Sequence, residues 1–157
     1  STSAYIIYLG HNPISWSFKK QRTVARSSTE AKYCLVASAA AKLRWICSFL
    51  SQLSVTLAYQ PVINCDNIGA TTLCSNPVFH SRMKHVAIDY HFIRDQVQNR
   101  LLRVSHVSAS DQLTDVLTKP LARSQFASMK LKIGLASPSF ILRGHYKHPH
   151  PLPTDTR

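Results

Sequence analysis

The chain has 157 residues, with 19 Lys+Arg against 7 Asp+Glu, and carries a formal charge of +12 with histidine neutral. That length fits one domain, since domains cluster around ~100–150 residues, and a hydrophobic content of 45% excludes wholesale disorder. A pI of about 10.0 points to polyanionic partners, with nucleic acid ahead of a membrane surface.

In chain order, residues 3–9 (SAYIIYL) and 14–20 (ISWSFKK) are β-branched and aromatic runs flanking Gly10-His11-Asn12-Pro13. Turn formers between two such runs predict an antiparallel hairpin. The strongest helical pattern lies over 29–53, where Leu35, Val36, Ala39, Leu43, Ile46, Leu50 and Leu53 recur at three- and four-residue steps. Ser27-Ser28-Thr29-Glu30 in front of it is a capping-box start. Residues 59–65 (YQPVINC) read as a short strand ending at Asp66, then a brief helix over 67–73 broken by Ser75-Asn76-Pro77. A second long helix is expected over 84–99, with Val86, Tyr90, Ile93 and Val97 on one side. A strand over 101–107, a helical segment over 112–118 and an amphipathic helix over 121–135 complete the pattern. The order β-β-α-β-α-α-β-α predicts a mixed sheet covered by helices, an α/β fold. From residue 137 the composition changes: four of the eight prolines and three of the eight histidines follow, without periodicity. The expected organisation is therefore a domain over 1–136 and a disordered or loosely attached tail over 137–157.

Some classes are set aside by what the sequence lacks. The apolar stretches are interrupted by Lys, Arg, Ser or Gln short of the ~20 residues of a membrane span, so no membrane partner is expected. No signal-peptide pattern opens the chain, and Cys34, Cys47, Cys65 and Cys74 include no CxxC pair. Buried thiols in an intracellular protein, cytoplasmic or nuclear and not secreted, are the expectation. The chain also lacks an initiator Met, as a processed protein or a fragment would.

Any carboxylate site must draw on Glu30, Asp66, Asp89, Asp95, Asp111, Asp115 and Asp155. Asp66 follows an apolar strand, Glu30 opens the long helix, and Asp115 lies in a late helical segment. Three carboxylates on separate elements are what a Mg²⁺ phosphoryl-transfer site needs, because hard oxygen ligands hold the ion while phosphates and water complete its shell. Each also has an ordinary reading: Glu30 as the capping-box residue, Asp66 as the cap of the short helix, Asp115 as a solvated charge. His80, His85, Asp89 and His91 admit a transition-metal reading, beside that of a basic helix whose Arg82, Lys84, His85 and Arg94 contact phosphates or solvent. Lys19, Lys20, Arg22 and Arg26 form a second basic cluster suited to phosphates. Trp16 and Trp45 read as core aromatics.

The words WSFKKQRTVARSSTEAKY, INCDNIGA, RMKHVAIDYHFIRD and HVSASDQLTDVLTKPL, in this order over residues 1 to about 136, resemble successive blocks of copia-type retrotransposon polyproteins. The resemblance is to their ribonuclease H domain, which follows the reverse transcriptase. It implies a ribonuclease H-like fold that cleaves the RNA strand of an RNA–DNA hybrid, with four carboxylates on two Mg²⁺ ions. It also implies the reverse transcriptase domain of the parent polyprotein as a partner. By resemblance Glu30 matches the glutamate of STEA, Asp66 the aspartate of CDN, and Asp115 that of TDVLTKP, where the family more often reads ADxLTK. His106 stands about where many ribonucleases H keep a histidine that assists product release.

The sequence departs from the family at three points, of which Ala4, where a glycine is common, is the mildest. The family's first catalytic aspartate lies on a strand upstream of the STSGYxxYLG block, and no acid precedes Glu30 here. That strand is central in the family's sheet, so the hairpin and the strand before Asp66 are expected to pair directly or leave a gap. Either arrangement exposes edge groups and predicts a marginally stable, aggregation-prone fragment. Relatives read TEAEY where this chain reads TEAKY, so Lys32 places a positive charge one helical step from Glu30. The expectation is a domain inactive in cleavage, with two alternatives: a nucleic-acid-binding remnant, or a chain that does not fold alone.

Overall fold

The computed structural model describes residues 2–21, 25–76 and 86–135. The tail expected over 137–157 lies outside the described residues, as do Arg22, His80, Arg82, Lys84 and His85.

Alternating β-branched and aromatic residues build the hairpin: β1 (Thr2–Leu9) runs antiparallel to β2 (Asn12–Lys20). Gly10 turns the chain at φ +62, a left-handed conformation that costs glycine little. The ladder slips between Ile7 and Tyr8, opposite Pro13, which has no N–H to give it. Helix α1 (Ser28–Gln52) follows; then β3 (Val62–Cys65), α2 (Ile68–Ser75), α3 (Ala87–Gln98) and β4 (Arg103–His106). A 3-10 turn over Ala109–Asp111 leads to α4 (Asp115–Thr118) and α5 (Arg123–Ile133). The architecture is mixed α/β, as the pattern predicts.

Strand pairing is where the fold is unusual. Among the described residues β1 pairs with β2, and β3 pairs in parallel with β4, giving two separate two-stranded sheets. Between them lies a cavity of about 330 Å³, walled by Ala4 to Tyr8 of β1 on one side and Val62 to Asp66 on the other. Leu35, Val36, Ala39 and Leu43 of α1 form its floor. Of the two arrangements the sequence allows, direct pairing or a gap, the chain adopts the gap.

The core gathers around the second sheet. Tyr33, Val36, Ala37 and Ala40 of α1 pack against Cys65, Ala70, Cys74, Tyr90, Ile93, Leu102 and Val104. Fully burying a side chain such as Ile93 or Leu102 stabilises by roughly 1.5–3 kcal/mol each. The Tyr33 and Tyr90 rings stack at 6.2 Å; Tyr33 Oη donates to the Tyr90 carbonyl and Tyr90 Oη to that of Asn76. Gly69 lets α2 approach α1, since a Cβ there would meet Thr29 Oγ1 at 3.0 Å.

Several expectations change. Trp16 and Trp45 are not core aromatics: they are 66% and 59% exposed. β2 turns Ile14, Trp16 and Phe18 outward together because a strand shows alternate residues to one face. Trp45 stacks on Phe49 at 5.7 Å with Lys42 above its ring. Leu53 is exposed at the end of α1. The helical segment expected over 112–118 is a single turn that begins at Asp115. By length and composition α1 is apolar enough to cross a membrane, against the sequence expectation, yet its apolar residues supply one side of this core.

Candidate functional site

Asp66 leaves the end of β3 where the parallel ladder closes: Cys65 faces His106, and Val107 N donates to the Cys65 carbonyl at 3.0 Å. The cap of α2 is Asn67, whose side chain accepts from Ala70 N at 2.8 Å, so Asp66 is not spent on capping. The Asp66 side chain is 11% exposed, and Lys32 Nζ lies 2.7 Å from its Oδ1. The two form an ion pair at hydrogen-bond distance. Burial pushes the Asp66 carboxyl up, but the Lys32 ammonium, helped by Gln112, outweighs it and holds the group below the usual carboxylate range.

Asp115 opens α4 and is buried, which excludes the solvated-charge reading. Lys119, one turn later, places Nζ 2.7 Å from Asp115 Oδ2. Hydrogen bonding to Asp115 raises the Lys119 pKa above the ordinary lysine value against a small burial effect, and the charges of Asp115 and Asp66 add to it. The two aspartates therefore share one neighbourhood, at the end of the cavity between the sheets, each with an ammonium upon it.

Glu30 is elsewhere. Ser27 caps α1 by accepting from Glu30 N at 3.1 Å, and Glu30 Oε2 accepts in return from Arg26 N, one residue before the cap, at 3.1 Å, so Glu30 closes the helix start in a variant of the capping box. It lines a second cavity of about 570 Å³ with Lys19, Lys20, Cys34 and Asp89, whereas Asp66 lines the first. Residues two apart on a helix point in nearly opposite directions, so α1 offers Asp66 position 32 and not position 30. In the second cavity burial and the Asp89 carboxylate push the Cys34 thiol up to about 11.

The remaining site residues fall into four groups. His106 is exposed at the end of β4, on the same sheet end as Asp66. Lys19, Lys20 and Arg26 are exposed near the mouth of the second cavity or beside it. Arg94 is half-buried, with its Nε shielded and without a partner, so it is not a plainly solvated phosphate contact. Arg22, Arg82 and Lys84 lie outside the described residues. Sequence reasoning missed Lys119 and Gln112. The Asp115–Lys119 pair has the acid-before-base spacing of four that signals a helix ion pair, whereas nothing local marks Gln112.

The described residues do not fit a divalent metal centre. Among the described residues no three His, Cys, Asp or Glu side chains come together as ligands. Glu30 faces another cavity, and tethered ammoniums already neutralise Asp66 and Asp115. What the arrangement offers chemically is a charge-balanced cleft at Asp66 and Asp115 and, at the second cavity, exposed basic residues.

The chain is similar to curated transposon proteins over most of its length. It is 63% identical over 135 residues, 86% of the chain, to the retrovirus-related Pol polyproteins from transposons RE2 and RE1 of Arabidopsis thaliana. It is 33% identical over 137 residues, 87% of the chain, to the retrovirus-related Pol polyprotein from transposon TNT 1-94 of Nicotiana tabacum. The chain spans about 9% of the length of the first two relatives and about 10% of the third. No family model and no solved structure matches it.

Proposed function

For a chain that belongs with the Pol polyproteins of copia-type retrotransposons, we propose the role of a ribonuclease H-like domain that binds RNA–DNA hybrid without cleaving it. The hybrid-cleaving ancestor is what the four sequence blocks imply. The reverse transcriptase region of a parent polyprotein is the partner that would present such a hybrid. The observation that carries the inactive half is the pairing of Lys32 with Asp66 and Lys119 with Asp115, while Glu30 caps α1 in a different cavity. Carboxylates neutralised in this way do not repel a phosphodiester, and they offer no divalent-ion set for the family's Mg²⁺ chemistry. Binding then rests on Lys19, Lys20 and Arg26, whose exposed charges suit backbone phosphates.

Incubating the chain with end-labelled RNA–DNA hybrid, with and without Mg²⁺, tests both halves. The expected result is retention of hybrid that weakens steeply with salt, each phosphate contact contributing roughly −0.9 to the log–log slope. No RNA fragments should appear. Mg²⁺-dependent cleavage that Asp66→Asn abolishes would overturn the inactive half, and salt-insensitive or absent retention would overturn the binding half.

A second reading has its own supporting observation. β1 and β3 face each other across an unbridged cavity, as two sheet edges would around a strand supplied from elsewhere in a longer polyprotein. In that reading the sheet, and with it a hydrolytic site, is complete only when that strand is in place.

A further inference from the structure

We propose that Lys32 takes the place of a metal cation at Asp66, which makes position 32 of α1 the residue that decides whether this site holds a divalent ion. The proposal deepens the hybrid-binding reading and rests on it for the identity of the site, but its test involves no nucleic acid.

The geometry is specific. Lys32 reaches Asp66 Oδ1 at 2.7 Å from the middle of the first turns of α1, where the side chain is itself only 32% exposed. An ammonium is a compact point charge, so at that distance it satisfies the same carboxylate that would otherwise seek a hard cation. Lys119 repeats the arrangement on Asp115, and its charge also reaches Asp66. The neighbourhood holds two carboxylates and two ammoniums, so its net charge is near zero. A divalent ion entering here must displace a tethered ammonium and accept repulsion from both lysines. A tethered group competes at high effective concentration, whereas the ion competes at its concentration in solution. Glu30 gives the ion no help, since it faces the other cavity and its carboxylate closes the α1 cap.

Titration with Mn²⁺, followed by the electron paramagnetic resonance signal of the free ion, reads this directly. Wild-type chain should leave the free-ion signal unchanged through the low-millimolar range. Lys32→Glu should bind Mn²⁺ at least about tenfold more tightly, because one cation leaves the site and one oxygen ligand enters. Adding Glu30→Gln to Lys32→Glu should leave that binding intact. Wild-type binding as tight as that of Lys32→Glu would overturn the proposal, as would loss of binding on adding Glu30→Gln.

Far-UV circular dichroism establishes that each variant is folded. If three crowded carboxylates unfold Lys32→Glu, Lys32→Gln decides the matter, because it removes the charge while keeping a long polar side chain. Mn²⁺ binding above wild type in that variant supports the proposal, and binding equal to wild type overturns it. Hybrid retention by the wild-type chain is scored separately, so failure of the Mn²⁺ result and failure of the binding reading are distinguishable.

Discussion

At the scale of single residues, the Lys32–Asp66 pair makes stability depend on pH in a defined direction. Asp66 is held below the ordinary carboxylate range in the fold, against about 3.9 when unfolded. Its contribution is therefore fully present above the unfolded value and is lost as pH falls through the lower, folded value. Lys32→Met removes the main cause of the lowering and leaves burial, which raises the carboxyl, opposed only by the backbone and Gln112 hydrogen bonds. The acid dependence then weakens, and the gap to wild type narrows as acid protonates Asp66. The expected cost of Lys32→Met is about 1–2 kcal/mol at pH 7, below that of a fully buried pair because Lys32 is partly solvated, and less near pH 3.5. Urea denaturation of both chains at the two pH values checks this; an equal difference at both would sink it. The thiols have a plainer role: Cys65 and Cys74 are buried, and burial pushes the Cys74 thiol up to about 12, so it stays protonated at neutral pH.

At the scale of elements, three helices end in the same way and differ in how comfortably they do so. After α1, Ser54 N bonds the Ser51 carbonyl and Val55 N the Leu50 carbonyl; after α3, Arg100 and Leu101 do the same with Val97 and Gln96. After α5, Gly134 and Leu135 bond Leu131 and Lys130. This double bond requires a left-handed residue just past the helix. Gly134 adopts φ +84 at no steric cost, whereas Ser54 and Arg100 sit at φ 58 and 55 with a Cβ in the way. Arg100→Gly should therefore stabilise the chain, by about 0.5–1 kcal/mol after the added chain entropy of glycine is subtracted. The midpoint of chemical denaturation reads this, and a lower midpoint would show that Arg100 makes a contact worth more than the strain. At the other end of α1, the capping box was fully visible as Ser27-Ser28-Thr29-Glu30, because a cap is local chemistry within four residues. The same locality explains the hairpin, whose turn and alternation lie within twenty residues.

At the scale of the whole molecule, the decisive feature is the space between the two sheets. Each sheet has two strands, and two-stranded sheets are marginal by themselves. Here the second is secured by the core it shares with α1, α2 and α3, while the hairpin exposes Ile14, Trp16 and Phe18. Extending the chain with the segment that precedes the matched region in the transposon relatives should fill the space between β1 and β3. Thermal unfolding should then sharpen and its midpoint rise by at least about 3 °C, the effect of roughly 1 kcal/mol in a domain of this size. An unchanged, broad transition would remove the support for a supplied strand. The solvent exposure of the apolar positions on β2 was invisible in the sequence, where an apolar strand reads as buried.

The sequence by itself determined the order and type of the elements, the Asp66 strand end, and the kinship with transposon Pol polyproteins, because these depend on periodicity, on turn chemistry and on contiguous blocks of residues. Tertiary structure alone decided which side chains meet. Glu30 and Lys32 lie two positions apart in one helix, and only the placement of α1 over β3 turns position 32 toward Asp66 and position 30 away. It likewise decided that the gap beside β1 stays open and that Trp16 and Trp45 face outward, since burial depends on what lies across a face and not on the residue that presents it. The charge of +12 shows the same division. Its sign was legible from the first count of residues, but Lys32, Lys119 and Lys132 are each paired with an aspartate, and only the fold distinguishes them from those left to meet a phosphate.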